Sequence, residues 1–289
     1  MALLSPSTLE YIVTIFALVR MRCTVLLLST RLATEAYVNL LDKTNCVGLI
    51  HSESAAPSVE EIEKARQIAI YKLPDRSTLE ATRSAGRLDL APESEEAAER
   101  TCFIIHSSGS TGLPKPIFQS NSACLVNYAN GHGYSAFLTL PLFHNHGLAT
   151  FFRSLYSGTP VTLVNASLPI TASSLMAAVD VCKPQSFHGV PYALKLIAES
   201  DRGVDMLAQC KIVMFGGSSC PDDLGDKLVN AGVYLIAHYG ATEIGQLMTS
   251  YRPTGDKAWN YVRPSEAAKP YIHFSPRGDN MFECCVLDG

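Results

Sequence analysis

Runs of apolar residues alternate with amphipathic stretches from the start of the chain. Ser7–Met21 reads as a helix, and Thr24–Leu28 reads as a β-rich run. Thr34 is the expected cap of a helix reaching Lys43, with Leu40 and Leu41 on its apolar side, and Cys46–His51 is again strand-like. Ser58 with Glu61 forms an expected capping box for a helix through about Tyr71. Leu73–Arg100 breaks the pattern. It collects Pro, Ser, Glu and Arg without an apolar period, which predicts an exposed linker or crossover. Alternation then resumes. Predicted strands are Cys102–His106, Ala136–Leu140, Thr159–Val164, Ile212–Phe215 and Tyr234–His238. Predicted helices are Gly147–Tyr156, Ser173–Val181, Tyr192–Ser200 and Asp222–Ala231. Strands alternating with helices of about ten residues predict a mainly parallel α/β architecture. Ligands in such sheets sit at the carboxyl ends of strands. The chain shows no internal repeat.

Composition narrows the function classes. With 289 residues, 47% of them hydrophobic, the chain is long enough to bury a real core. Its 23 Lys and Arg against 27 Asp and Glu leave a net charge of −4, so no basic excess exists to hold a nucleic acid. The nine cysteines form no C-x-x-C pair, which points to scattered thiols in a reducing compartment rather than a disulfide framework or structural zinc. Tyr11–Val19 is apolar, but Arg20 and Arg22 interrupt it well short of a membrane span. The first residues lack the Lys or Arg of a signal peptide. A cytoplasmic protein is expected.

Four short motifs carry candidate chemistry. Directly after the strand Cys102–His106 comes Ser107-Ser108-Gly109-Ser110-Thr111-Gly112-Leu113-Pro114-Lys115. Its glycines let the backbone turn its N–H groups inward, its hydroxyls add donors, and Lys115 adds a charge, a combination suited to polyphosphate. It matches neither the P-loop spacing nor G-x-G-x-x-G. Tyr239-Gly240-Ala241-Thr242-Glu243 follows another strand; Tyr239 offers an aromatic face, Thr242 a hydroxyl for a phosphate and Glu243 a carboxylate for Mg²⁺. Phe215-Gly216-Gly217-Ser218 places paired glycines, able to lie flat against a base, at a third strand end. Phe143-His144-Asn145-His146 puts two histidines at i, i+2, read as a strand pair. No third ligand stands at useful spacing, so His144 is expected to line a substrate entry rather than a metal site. Each motif alone is also compatible with an ordinary turn. An α/β hydrolase is a poor reading because no G-x-S-x-G occurs.

In order and spacing, these motifs resemble the adenylate-forming superfamily of acyl- and aryl-CoA synthetases, peptide-synthetase adenylation domains and luciferases. The resemblance runs from about Phe16 to the C-terminus. Phe16–Ile50 and Gln246–Pro264 look most like fungal peptide-synthetase-like carboxylic acid reductases, enzymes of secondary metabolism. The resemblance implies the N-terminal core of that fold, mainly parallel sheets flanked by helices, incomplete and without the small C-terminal domain. Its expected parts are 1–72 as an N-terminal αβ portion, 73–100 as linker, and 101–289 as the nucleotide- and acyl-binding portion. It implies attack of a carboxylate on the α-phosphorus of ATP, giving an acyl-adenylate. Ser107, Ser108, Gly109, Ser110, Thr111, Gly112 and Lys115 would hold the β- and γ-phosphates. Gly216, Gly217, Ser218 and the stretch His238, Tyr239, Gly240, Ala241 and Thr242 would frame the nucleotide, with Thr242 on the α-phosphate. Glu243 would bind Mg²⁺, His144 would border the carboxylate, and Gly189-Val190-Pro191 would line the acyl pocket. Expected cofactors are ATP or AMP and Mg²⁺. Expected partners are a small carboxylic acid, a complementing C-terminal domain, and CoA or a phosphopantetheine carrier as thiol acceptor. Thr254-Gly255-Asp256 looks like the family's ribose-binding aspartate motif but lies too close to Glu243, so Asp256 is left as a surface turn. With no position to receive the family's C-terminal lysine, the expectation is nucleotide binding with impaired adenylation. The alternative is a nucleotide-binding remnant or regulatory protein without turnover.

Overall fold

The computed structural model describes residues 1–86, 89–90, 95–107 and 112–287. The chain forms two compact units, one of residues 1–133 with 140–169, the other of 134–139 with 170–289.

The first unit holds β1 (Ala2–Leu4), α1 (Leu9–Arg20), β2 (Val25–Leu28), α2 (Thr34–Lys43), β3 (Gly48–His51), α3 (Ala56–Ala65), β4 (Ala69–Lys72), α4 (Arg76–Ala81), β5 (Thr101–His106), β6 (Pro116–Ser120) and α5 (Asn121–Ala129). Its sheet runs β4-β3-β1-β2-β5-β6. All neighbours are parallel except the last pair, where β6 returns antiparallel to β5. The central strands are buried on both faces, so they read as unbroken apolar runs. One face, through Ala2, Leu4, Leu26, Leu28 and Ile104, packs with Tyr37, Leu40 and Leu41 of α2 and Val59 and Ile62 of α3. Phe16, Phe103, Tyr128, Phe151 and Phe152 form an aromatic cluster, with Tyr128 stacked on Phe152 at 4.8 Å. The unit also contains α6 (Asn145–Tyr156) and β8 (Val161–Leu163).

The second unit holds β7 (Ala136–Leu138), α7 (Ala172–Cys182), β9 (Ser186–Gly189), α8 (Pro191–Ile197), α9 (Asp201–Ala208), β10 (Ile212–Phe215), α10 (Asp222–Asn230), β11 (Leu235–Ala241), β12 (Gly245–Thr249), β13 (Arg263–Pro264), β14 (Ile272–Gly278) and β15 (Met281–Val286). Its sheet strands follow the order β13-β12-β11-β10-β9-β7. The stretch β7-β9-β10-β11 is parallel, and β12 and β13 add antiparallel strands. β14 and β15 form a separate antiparallel ribbon.

The mainly parallel α/β expectation therefore holds, with local corrections. Thr34 is the first residue of α2 rather than its cap; Ala33 occupies that place with no side-chain cap. Ser58 lies inside α3, which Ala55 precedes, and the helix ends at Ala65 because the chain turns extended at Arg66 to enter β4. The expected capping box is thus absent there. Thr171 and Ser174 form one at the start of α7 instead. The described part of 73–100 is largely exposed, with Leu73, Pro74, Leu79, Ala97 and Arg100 half-buried, and it carries α4, capped by Asp75. Ala2–Leu4 and Ser186–Gly189 are strands too short for a period to show.

Candidate functional site

In the first unit the Ser/Gly/Lys motif spans the connection between antiparallel β5 and β6, with His106 opposite Pro116. Ser107 and Lys115 close its root. The Ser107 N–H donates to the Lys115 carbonyl at 3.1 Å, and the Lys115 N–H donates to Ser107 Oγ at 3.0 Å. Asn39 of α2 donates its side-chain N–H to the Pro114 carbonyl at 3.1 Å. No helix begins at the lysine, because β6 starts at Pro116. Gly112 has φ +150° and, like Lys115, is exposed. Among the described residues Lys115 makes no ion pair. Ser108, Gly109, Ser110 and Thr111 lie outside the described residues.

His144 stands at the cap position of α6, and its ring meets Phe143 edge-on at 4.8 Å. His146 lies within the helix, so the two histidines are not a strand pair. Partial desolvation, then repulsion from His106 and Arg31, holds the His144 pKa below the ordinary imidazole value. Its neutral form is therefore favoured near neutral pH. Among the described residues no three His, Cys, Asp or Glu side chains gather to hold a metal.

In the second unit three motifs leave the carboxyl ends of adjacent parallel strands. Phe215 pairs with Gly189 on one side and Ala237 on the other. This register sets Gly189-Val190-Pro191, Gly216-Gly217-Ser218 and His238–Glu243 side by side. Gly217 takes φ +85°, and it and Ser218 are exposed; a Cβ at Gly217 would meet only Val190 Cγ1, at 3.9 Å. β11 outruns its parallel partner and bends through Thr242-Glu243-Ile244 into β12, with Ala241 opposite Gly245. A bulge between Tyr239 and Gly240 re-aims the strand end. Two glycines make the hairpin possible. Gly245 takes φ +69°, and a Cβ at Gly240 would lie 2.0 Å from the Gly245 carbonyl oxygen. Tyr239 is 48% exposed, Thr242 is half-buried, and Glu243 is exposed with no ion pair among the described residues.

Ser107, Gly112, Lys115 and His144 thus belong to one unit, while Gly216–Ser218 and His238–Glu243 belong to the other. Asp256 sits in a local turn, accepting from the Ala258 N–H at 2.8 Å. The sequence reading passed over two polar residues beside these motifs. Arg252, buried, donates through Nη1 to the Leu235 and Ser250 carbonyls at 2.6 and 3.1 Å, securing the base of β11. His106 is the residue before the Ser/Gly/Lys motif, and only its place as the polar end of an apolar run marked it.

A family model described as AMP-binding enzyme matches residues 1–272. An adenylate-forming reductase of Aspergillus terreus is 28% identical over 277 residues, covering 90% of this chain and 26% of that protein. A carboxylic acid reductase of Neurospora crassa is 26% identical over 280 residues, with the same two shares. The chain therefore spans about a quarter of the length of these relatives. Among solved structures, the anthranilate CoA ligase AuaEII in complex with anthranoyl-AMP superimposes with a TM-score of 0.78 at 18% identity, covering 99% of this chain and 56% of that one. That likeness gives the fold.

Proposed function

The chain belongs to the AMP-binding enzyme family, and from that premise we propose that it serves ATP-dependent activation of a small carboxylic acid to an acyl-adenylate, with release of pyrophosphate. One observation carries the reading: the register that brings Gly216–Ser218 and Tyr239–Glu243 to the carboxyl ends of neighbouring parallel strands. That is where ligands of α/β sheets bind. In this reading Ser107, Gly112 and Lys115, with the intervening Ser108, Gly109, Ser110 and Thr111, hold the β- and γ-phosphates. Gly216, Gly217, Ser218 and the exposed face of Tyr239 frame adenine, and His238, Gly240 and Ala241 shape the bed of the nucleotide. Thr242 donates its hydroxyl to the α-phosphate. His144, kept neutral, borders the carboxylate without drawing it into an ion pair.

The donors present fit Mg²⁺. Glu243 offers a hard, exposed carboxylate without a competing cation among the described residues. Mg²⁺ is commonly held by one or two carboxylates plus substrate phosphates. When bound, it neutralises charge on the phosphate oxygens. Lys115 adds a fixed positive charge to the same task. The proposed thiol acceptor that would take the acyl group is CoA or a phosphopantetheine carrier, and the proposed substrate is an acid of secondary metabolism.

The test is carboxylate-dependent ATP–pyrophosphate exchange across a panel of aliphatic and aryl acids. Exchange above the acid-free background is expected with at least one class. Lys115→Ala and Thr242→Ala should each weaken ATP binding in calorimetry by about tenfold, the scale of one charge-assisted hydrogen bond. Tight ATP binding without exchange for any acid would overturn acid activation. Unchanged affinity in both variants would overturn the assignment of the site.

A further inference from the structure

The proposed phosphate-binding segment begins at Ser107, and the residue before it, His106, is only 4% exposed. The Ser29 N–H, at the end of β2, donates to His106 Nε2 at 3.0 Å. An amide N–H can only donate, so Nε2 presents its lone pair and the ring is neutral. The ring proton then sits on Nδ1, 3.0 Å from the Ser107 carbonyl oxygen, and donates to it. A single tautomer satisfies both contacts.

The contacts continue on either side. Ser107 is also held through its N–H and Oγ by Lys115, so each of its polar groups has a partner. Ser29 accepts at its carbonyl from Tyr37 Oη at 2.8 Å and at its hydroxyl from the Arg31 N–H at 3.3 Å. Tyr37 and Asn39 both belong to α2. The helix therefore reaches one end of the segment through Tyr37, Ser29 and His106, and the other through Asn39 and Pro114.

We propose that His106, held as the neutral Nδ1–H tautomer between the Ser29 amide and the Ser107 carbonyl, is a positioning residue that sets where Ser107 and Lys115 meet the phosphates of ATP. This inference rests on the nucleotide reading above. Protonation at Nε2 would set N–H against N–H in a buried place and release the end of β2. Its ionisable neighbours are His144 at the start of α6, whose own protonation a charged His106 would disfavour, and Arg31, which acts on His144 in the same sense. Burial keeps the His106 pKa below its ordinary 6.5, and the hydrogen bond to the Ser107 carbonyl offsets part of that shift.

The experiment uses the full chain as wild type, His106→Gln and His106→Asn. Nitrogen-15 NMR of the imidazoles reads the tautomer, and calorimetry reads Mg·ATP binding between pH 7.5 and about pH 5.5, a window spanning the ordinary imidazole range. Wild-type His106 should show the Nδ1–H tautomer at neutral pH, and ATP binding should weaken on its titration by about tenfold, the scale of one buried donor left unmade. Gln can accept from Ser29 without titrating. His106→Gln should bind ATP at pH 7.5 nearly as wild type and lose the acid limb that His106 adds. Asn reaches only the δ position, so His106→Asn should bind about tenfold more weakly at every pH. Titration of the ATP phosphate is common to all three proteins, and that of His144, which His106 influences, is followed separately through its own nitrogen-15 signal. An Nε2–H tautomer in the wild type, or an acid limb unaltered in His106→Gln, overturns the role. Wild type that binds no ATP at any pH overturns the nucleotide reading and this role with it. Normal wild-type binding with indifferent variants overturns this role alone. The wild-type tautomer decides the bonding even where a variant does not fold.

Discussion

A methyl group at Gly240 would stand 2.0 Å from a backbone carbonyl oxygen, that of Gly245, which cannot swing aside as a side-chain end would. Gly240→Ala is therefore expected to lower stability by about 1–3 kcal/mol, the usual range for overpacking. Urea denaturation checks it; a midpoint equal to wild type would show that the hairpin yields freely. Residue-scale chemistry of this kind was partly legible. Lys115, Thr242, Glu243 and the glycines stand in short motifs whose residue types already suggest an anion. His106 was not legible, because its Nε2 partner, Ser29, is 77 positions away. No local pattern predicts which imidazole nitrogen a distant amide will claim.

Helix starts show the same division among elements. Thr34 and Ser58 looked like caps, yet neither side chain caps its helix; Thr171 accepts from the Ser174 N–H at 3.1 Å and Ser174 Oγ accepts from the Thr171 N–H at 3.1 Å. Thr171→Ala should thus cost about 1 kcal/mol of stability, whereas Thr34→Ala should stay within about 0.5 kcal/mol of wild type. Urea midpoints compare the pair directly, and equal losses would refute the assignment of caps. Capping residues are common, so the sequence offers more candidates than a chain uses. The winner depends on where the preceding turn releases the backbone. Long periodic helices such as α2 and α6 were readable within a residue or two. The antiparallel returns β6 and β12 were not, because pairing direction is a property of two strands and not of either alone.

Across the whole molecule, neutral histidines tie stability to pH. Burial holds His106 below 6.5, and His132 and His144 shift the same way, each chiefly by desolvation. The unfolded chain then takes up protons first, so this stability is complete above about 6.5 and is lost as pH falls from there toward the folded values. Asp75, whose pKa is lowered from 3.8 by hydrogen bonds from Thr78 and Ser77, acts only in a more acidic window. Urea midpoints should therefore fall between pH 7.5 and about pH 5.5, the imidazole range, and a flat profile would refute the assignment. The order of apolar runs and helices determined a mainly parallel α/β chain with Gly- and Ser-rich strand ends, because periodicity and backbone permissiveness are local. Tertiary structure alone decided that β5 and β11 each end in an antiparallel hairpin. It also decided that Gly216–Ser218 lies beside Tyr239–Glu243, and that His106 is pinned between Ser29 and Ser107. Each of these depends on register between segments far apart in the chain, and register is settled only when buried faces and hydrogen-bond partners are satisfied together.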